Sequence, residues 1–491
     1  MEPLWQRGRV NEMKRLLPVL CLLVMVLGCT IGKDYKRPEI TSPKMWRFEE
    51  GEVLKAANAA WWDQFADPVL NELISAALVE NKDLLIATAR IEEYMGRYGV
   101  TRAGQFPQVG AQIDAGRQRI TETGYSPIPS TISPTYYNFQ GTLNASWELD
   151  LWGKLRRATE AAKADLLSKE ENRRAVMLTL TSSVAYAYVN LLNLDEQLRI
   201  ARQTTKSRKE SLNLFNLRFE GGVISELELN QVKSEYEQAR ALIPQLEKAI
   251  IQQENAMNLL LGRNPGPIKR GRTMAGLVLP AIPEGLPSDL LERRPDIRQS
   301  EQDLISANAQ IGVAKAAYFP TISLTGYFGA ASTELSTLFT GPAKVWSWGG
   351  SLTMPIFTAG KIKGQVQVAE AIQKQALYRY QQAIQTAFRE VEDSLADRLK
   401  SGEKLEAEGK QVAALRNYRD LATLRYENGY SSYLEVLDAE RSLFNAELSY
   451  TQTQGIQFQA LVSIYKAMGG GWEINGSKNL KPTGPQVKAR P

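Results

Sequence analysis

The sequence predicts an α+β membrane protein whose strands are pooled between several copies of the chain. Three observations carry this reading. The 491 residues are written as two copies of one unit. Each copy holds a pair of strands with one apolar and one polar face. Each also holds a proline-free helical stretch far too long for a globular core.

The repeat is read from spacing. Asp83-Leu84 and Asp296-Ile297 open similar helical stretches 213 residues apart, and Phe106-Pro107 and Phe319-Pro320 end them at the same spacing. Later pairs are separated by 207: Gly153-Lys154 with Gly360-Lys361, Leu227-Glu228 with Leu434-Glu435, and Leu261-Gly262 with Met468-Gly469. One six-residue length difference between Pro107 and Gly153 accounts for the change. The expected organisation is a signal segment over 1–28, an extended N-terminal segment over 29–66 and a first repeat over 67–262. A proline-rich linker over 263–287, a second repeat over 288–470 and a polar tail over 471–491 follow. Each repeat reads as helix, two strands, very long helix, tight turn, helix. Asp67-Pro68 supplies an N-cap and first-turn pair for the first helix.

The strands alternate cleanly. Tyr137, Phe139, Gly141, Leu143, Ala145, Trp147 and Leu149 share one face, and Asn138, Gln140, Thr142, Asn144, Ser146, Glu148 and Asp150 share the other. Val109, Ala111, Ile113 and Ala115 repeat the pattern, as do Ile322, Leu324, Gly326 and Phe328, and then Trp346, Trp348, Leu352, Met354 and Ile356. A half-buried sheet of a soluble domain would also alternate. Run lengths of about 10 to 13, a polar face that is uncharged or acidic, and aromatics near the ends favour membrane strands.

Residues 153–219 and 360–426 contain no proline, and each would make a helix roughly 100 Å long. Val176, Leu180, Val184, Ala187, Leu191, Leu194, Leu198 and Ala201 recur at steps of three and four, the seam of an amphipathic helix. Four strands cannot close a barrel in lipid, and an open sheet would leave backbone groups unpaired in hydrocarbon. Several chains must therefore pool strands. Two chains would fill an eight-stranded barrel with side chains, so a conducting pore favours three chains and twelve strands.

Composition excludes most site chemistry. There is no histidine, and the two cysteines are Cys21 and Cys29. No Ser-His-Asp or Cys-His catalytic system, no 2-His-1-carboxylate iron site and no zinc site of the usual kinds can form. Neither Gly153-Lys154 nor Gly360-Lys361 continues as a phosphate-cradling loop. The net charge of +5 comes without a basic block, so nucleic acid is not an expected partner. No enzyme, metal or cofactor is expected. At the N-terminus Lys14-Arg15 precede an apolar run, residues 16–27, and then Gly28-Cys29, with Met1 and Met13 as alternative starts. Val26-Leu27-Gly28-Cys29 reads as a lipoprotein cleavage box that would place a covalent lipid on Cys29. An ordinary signal peptide with an incidental cysteine is the alternative.

Several motifs resemble the TolC-like outer-membrane factor family of tripartite efflux systems, in its lipoprotein branch. They are Gly32-Lys33-Asp34-Tyr35-Lys36-Arg37-Pro38, Trp61-Trp62 with Phe65, Asp67 and Pro68, and Glu292-Arg293-Arg294-Pro295-Asp296-Ile297-Arg298. Ala307-Asn308-Ala309-Gln310-Ile311-Gly312, Phe319-Pro320, Pro355-Ile356-Phe357 and Val436-Leu437-Asp438-Ala439 complete the set. The resemblance covers nearly the whole chain after Cys29. It implies a homotrimer with a twelve-stranded β-barrel in the outer membrane, continuous with a twelve-helix α-barrel in the periplasm. It also implies a periplasmic adaptor protein, a proton-driven inner-membrane pump, and a passive duct for drugs, toxic compounds or metal ions.

Gly221-Gly222 and Asn428-Gly429 supply the positive-φ positions of two tight reversals. The resemblance makes these turns, with Val223, Tyr430, Arg218 and Arg425, the adaptor-docking tip. Glu435 and Asp438 are three apart and share a helix face. Read alone they are equally a solvated acidic face or an axial ring. The resemblance favours a periplasmic gate of Leu434, Glu435 and Asp438, with Tyr426 beside it and Glu228 holding the tip closed. It also implies an arginine where this chain has Ser431, so the lock must differ here. The Glu292 to Arg298 motif reads as structural. An exit duct for polypeptides and a non-conducting envelope lipoprotein are the alternatives.

Overall fold

The computed structural model describes residues 30–39, 46, 60–123, 129, 131, 133–280 and 290–471. Cys29, the signal segment, the end of the linker and the tail from residue 472 lie outside the described residues. The chain divides into two compact units.

The first unit contains the segment ending at Glu39 with Ile91–Lys169 and Ser300–Tyr380. Its centre is one sheet of β1 (Gln108–Arg119), β2 (Thr135–Leu149), β3 (Thr321–Ser332) and β4 (Lys344–Thr353), in that order and antiparallel throughout. Register keeps the two faces pure. Ile113, Gly141 and Ala330 lie across from one another on one face, and Gln112, Thr142 and Gly329 do so on the other. The ladder also slants. Lys344 pairs with Ala330, Ala330 with Gly141 and Gly141 with Ile113, so the first residue of β4 lies level with a residue six positions before the end of β1. Such stagger is what strand tilt in a barrel requires. Gly329 is needed for packing, because a Cβ there would meet the Gly141 carbonyl. The last strand stops at Thr353, short of the expected Met354 and Ile356. Pro355 follows and has no N–H to give a ladder.

The N-terminal segment is tied to this unit by buried charge. Arg157, 4% exposed, donates to the Gly32 carbonyl, to Asp34 at 2.7 Å and to Glu160 at 2.7 Å. Arg37 grips Glu301 with two bonds of 2.7 and 2.6 Å, and the Tyr35 hydroxyl donates to the same carboxylate.

The second unit contains Ile40–Arg90, Glu170–Gln299 and the chain from Gln381. Asp67 starts α1 (Pro68–Glu80) by accepting from the Val69 N–H at 2.9 Å. The expected single first helix is two, because α2 (Lys82–Ala103) restarts at Asn81. The Asn81 N–H closes α1 on the Ala77 carbonyl, its side-chain oxygen accepts from Leu84, and its amide donates to Leu260. One residue thus ends one helix, caps the next and anchors both.

The long helices are α3 (Lys154–Glu220) and, after α4 (Glu226–Leu260), α5 (Leu290–Arg293) and α6 (Pro295–Ala316), α7 (Lys361–Glu427) with α8 (Tyr433–Ala467). Their lengths expose the repeat: α2 and α6 have 22 residues, α3 and α7 have 67, and α4 and α8 have 35. Among the described residues α3 alone carries an 18-residue window apolar enough to cross a membrane, and 67% of that window is buried, as in a core helix.

The core gathers Trp61, Phe65, Leu70, Tyr188, Leu191, Met257, Phe458 and Tyr465. Trp61 stacks on Tyr465 at 5.0 Å. Asp67 is wholly buried and accepts from Val69 N, from the Tyr188 hydroxyl at 2.8 Å and from Arg272 N at 2.9 Å. A Cβ at Gly271 would stand 2.0 Å from the Asp67 carboxylate, so only glycine fits. Three donors leave this charge solvated by protein, and losing the carboxylate strands all three. Asp67→Ala should therefore lower stability by about 3 kcal/mol or more, read as a shifted denaturation midpoint.

Candidate functional site: a two-faced sheet and a helical tip

Two features stand out, one in each unit. The first is the sheet. Its apolar face leaves large side chains in the open, among them Ile113 at 86%, Trp348 at 80% and Trp346 at 67% exposure. Its other face carries Gln, Asn, Ser and Thr, with Asp114 and Glu148. Both edge strands, β1 and β4, have one neighbour only. An exposed apolar face with open edges is unstable in water and intolerable in lipid until more strands are added.

The second feature is the pair of helix reversals. Gly222 and Gly429 have φ of +69° and +76°. Nothing lies within 4 Å of a Cβ built at either, so backbone conformation and not space demands glycine. Val223 N bonds to the Arg218 carbonyl and Tyr430 N to the Arg425 carbonyl, each at 2.8 Å, closing both helix ends identically. Val223 and Tyr430 are left 74% and 78% exposed at the apices. Gly221 and Asn428 complete the two turns.

Behind the turns lies a small core of Phe215, Val232, Ala422, Tyr433, Val436, Leu437 and Ala439. Tyr433 meets Phe215 at 4.2 Å and Tyr426 at 4.9 Å. The Arg218 guanidinium donates to the Tyr426 hydroxyl at 2.5 Å and stands over the Phe215 and Tyr426 rings. This contact joins the first repeat to the second. Glu228 lies just past the first turn, where its carboxylate accepts from Ser225 N while Ser225 Oγ accepts from Glu228 N, a capping box.

Leu434, Glu435 and Asp438 do come together, on the exposed side of α8. They line an open groove of about 750 Å³ with Leu227, Gln231 and Ser234 of α4. Neither acid is bare. Arg425 lies 3.7 Å from Glu435 and Arg441 lies 2.8 Å from Asp438, both pairs well exposed. Ser431 Oγ is buried and makes no hydrogen bond.

Sequence reasoning missed a buried charge cluster one turn deeper. Arg208, 3% exposed, donates to the Glu235 carbonyl, lies 3.0 Å from its carboxylate and covers the Phe444 ring. Glu440 faces the same cluster, and burial raises its carboxyl above the ordinary range against the pull of Arg208 and Arg419. Burial and Glu440 push the Tyr433 hydroxyl up to about 12. The signal was available: Ala201, Arg208 and Phe215 are seven apart, so Arg208 occupies an apolar row.

Comparison with known proteins now decides the family. A sequence profile described as outer membrane efflux protein matches residues 73–263 and 286–470. The chain belongs to the outer membrane efflux proteins. It is 36% identical over 479 residues to the toluene efflux pump outer membrane protein TtgC of Pseudomonas putida, covering 95% of this chain and 98% of that one. It is 35% identical over 465 residues to the cation efflux system protein CusC of Escherichia coli, covering 94% and 99%. The open-state MtrE outer membrane channel of Neisseria gonorrhoeae superposes with a TM-score of 0.82 at 33% identity, covering 90% and 99%. The chain is thus an outer-membrane component of efflux systems, with a channel fold and not an enzyme's.

The raised Glu440 carboxyl has a consequence for stability. A group with a higher value folded than unfolded stabilises fully below its unfolded value and loses that contribution as pH rises through the folded one. Glu440→Gln, which keeps the neutral shape, should raise the denaturation midpoint at pH 7. The gain should shrink as pH falls towards the ordinary carboxyl value of 4.5.

Proposed function

We propose that this protein is the passive exit duct of a tripartite efflux pump, working as a homotrimer in the outer membrane. The observation that carries the proposal is the four-stranded sheet with one apolar face, one polar face and two open edges. Three copies pool twelve strands into a barrel with the apolar face in lipid and the polar face lining water. Asp114 then lines the lumen and favours cations, while Glu148 stands there paired with Lys154. The long helices form the periplasmic α-barrel, and a lipid on Cys29 anchors the N-terminus.

The two turns form the tip that meets the adaptor, offering Val223 and Tyr430 at the apices of Gly221-Gly222 and Asn428-Gly429. The gate is Leu434, Glu435 and Asp438, brought to the axis by symmetry. With serine at position 431, closure rests on Arg218 bonded to Tyr426 and on Arg425 beside Glu435. The pump is a proton-driven inner-membrane transporter and the cargo is small molecules. Relatives named for toluene and for cations are about equally similar to this chain, so the pump and not the duct selects the cargo.

Single-channel conductance in planar bilayers tests this. Wild type should give small cation-selective openings. Glu435→Ala with Asp438→Ala should conduct more and discriminate less. Equal conductance in both would move the gate elsewhere, and no conductance after verified insertion would sink the duct.

A further inference from the structure

Charge on the sheet is segregated by face and by end. On the apolar face the charged residues are Arg117, Arg119 and Lys344, all cations and all at the rim where β1 joins β2 and β3 joins β4. The strand residues of the polar face include Asp114 and Glu148 and no cation, and Glu148 is paired with Lys154 at 3.1 Å. The opposite rim, which leads into the helices, has no charge on its apolar face, where Val109, Leu149, Ile322 and Leu352 stand. Arg117 rests over the Tyr137 ring at 5.2 Å. Among the described residues Arg119 pairs with Glu122 at 2.8 Å, an exposed contact of little strength in water. Trp346, two residues from Lys344 on the same face, is 67% exposed.

These cations occupy the two open edges. Arg117 and Arg119 are on β1 and Lys344 is on β4. All three sit at loop-side strand ends, and the stagger across the sheet brings those ends to one level once the strands tilt. When β4 of one copy pairs with β1 of the next, Lys344 comes about one strand spacing, roughly 4.8 Å, from the edge carrying Arg117 and Arg119. Assembly therefore builds a three-cation cluster that no single copy contains. Below it runs a strip of Ile113, Phe328 and Trp346, fit for acyl chains.

We propose that this cluster binds the phosphates of lipid A in the outer leaflet, one site at each junction between copies. The proposal rests on the trimeric barrel proposed above. The choice of lipid follows from position: the helices leave the opposite rim, so the cationic rim faces outwards, where phosphates on an acylated saccharide form the membrane surface. Guanidinium and ammonium donors bind phosphate oxygens with charge-assisted bonds. The aromatic rings sit at headgroup depth.

The test is native mass spectrometry of the full chain in detergent, titrated with bisphosphorylated lipid A, lipid A stripped of phosphate, and phosphatidylglycerol. Wild-type trimers should take up to three lipid A molecules. Removing the phosphates should weaken binding about tenfold or more, since each site loses several charge-assisted bonds. The Arg117→Gln, Arg119→Gln, Lys344→Gln variant should lose as much, and Lys344→Arg should retain binding. A trimer that binds stripped lipid A or phosphatidylglycerol equally well overturns the site and leaves the barrel standing, as does a triple variant that binds like wild type. A chain that stays monomeric overturns the barrel reading and the site with it. If the triple variant does not assemble, the phosphate comparison on wild type decides alone.

Discussion

Unpaired backbone at the edges of β1 and β4 is the constraint from which the rest follows. Each edge N–H and C=O left in hydrocarbon costs several kcal/mol, and an apolar face left in water is costly too. Neither solvent suits this sheet by itself. Adding strands from other copies satisfies both demands at once, and the six-residue slant across the sheet already provides the tilt that closure needs. In the proposed assembly the paired strands and the paired long helices then repeat around one axis.

At the tip the chemistry divides into local and distant parts. Each reversal closes itself through glycine at positive φ and a bond back to its own helix. What joins the two hairpins is a contact 208 residues apart in sequence, Arg218 on the Tyr426 hydroxyl, set in a cluster of aromatic rings. Beneath it the buried ion pair of Arg208 and Glu235 allows few alternative packings, because separating the two would strand a charge in the core.

The family-labelling motifs are largely structural. Asp34 and Arg37 fasten the N-terminal segment to Arg157 and Glu301. Arg294 spans Asp296, Glu390 and the Ala467 carbonyl, joining the start of the second repeat to its last helix. Gly312 lies against Ile31 and Arg157, where a Cβ would not fit.

Local rules made much of this legible in sequence. Period-two alternation set the strand faces, the absence of proline let the long helices run, and Asp67-Pro68 and the glycine turns marked boundaries. The exceptions are instructive. Met354 and Ile356 kept the alternation past the strand because periodicity ignores a missing N–H at Pro355. One helix was counted before the strands, yet the bond of Asn81 to the Leu260 carbonyl, 179 residues away, anchors a break between two. Glu228 was read for a role at the tip, and the bond the fold gives it is a local capping box with Ser225. Arg208, which drew no reading in the sequence, is buried. Sequence determined what depends on neighbours within a few residues; tertiary structure decided which distant polar groups meet, because burial removes water as an alternative partner and leaves only the groups that packing brings within reach.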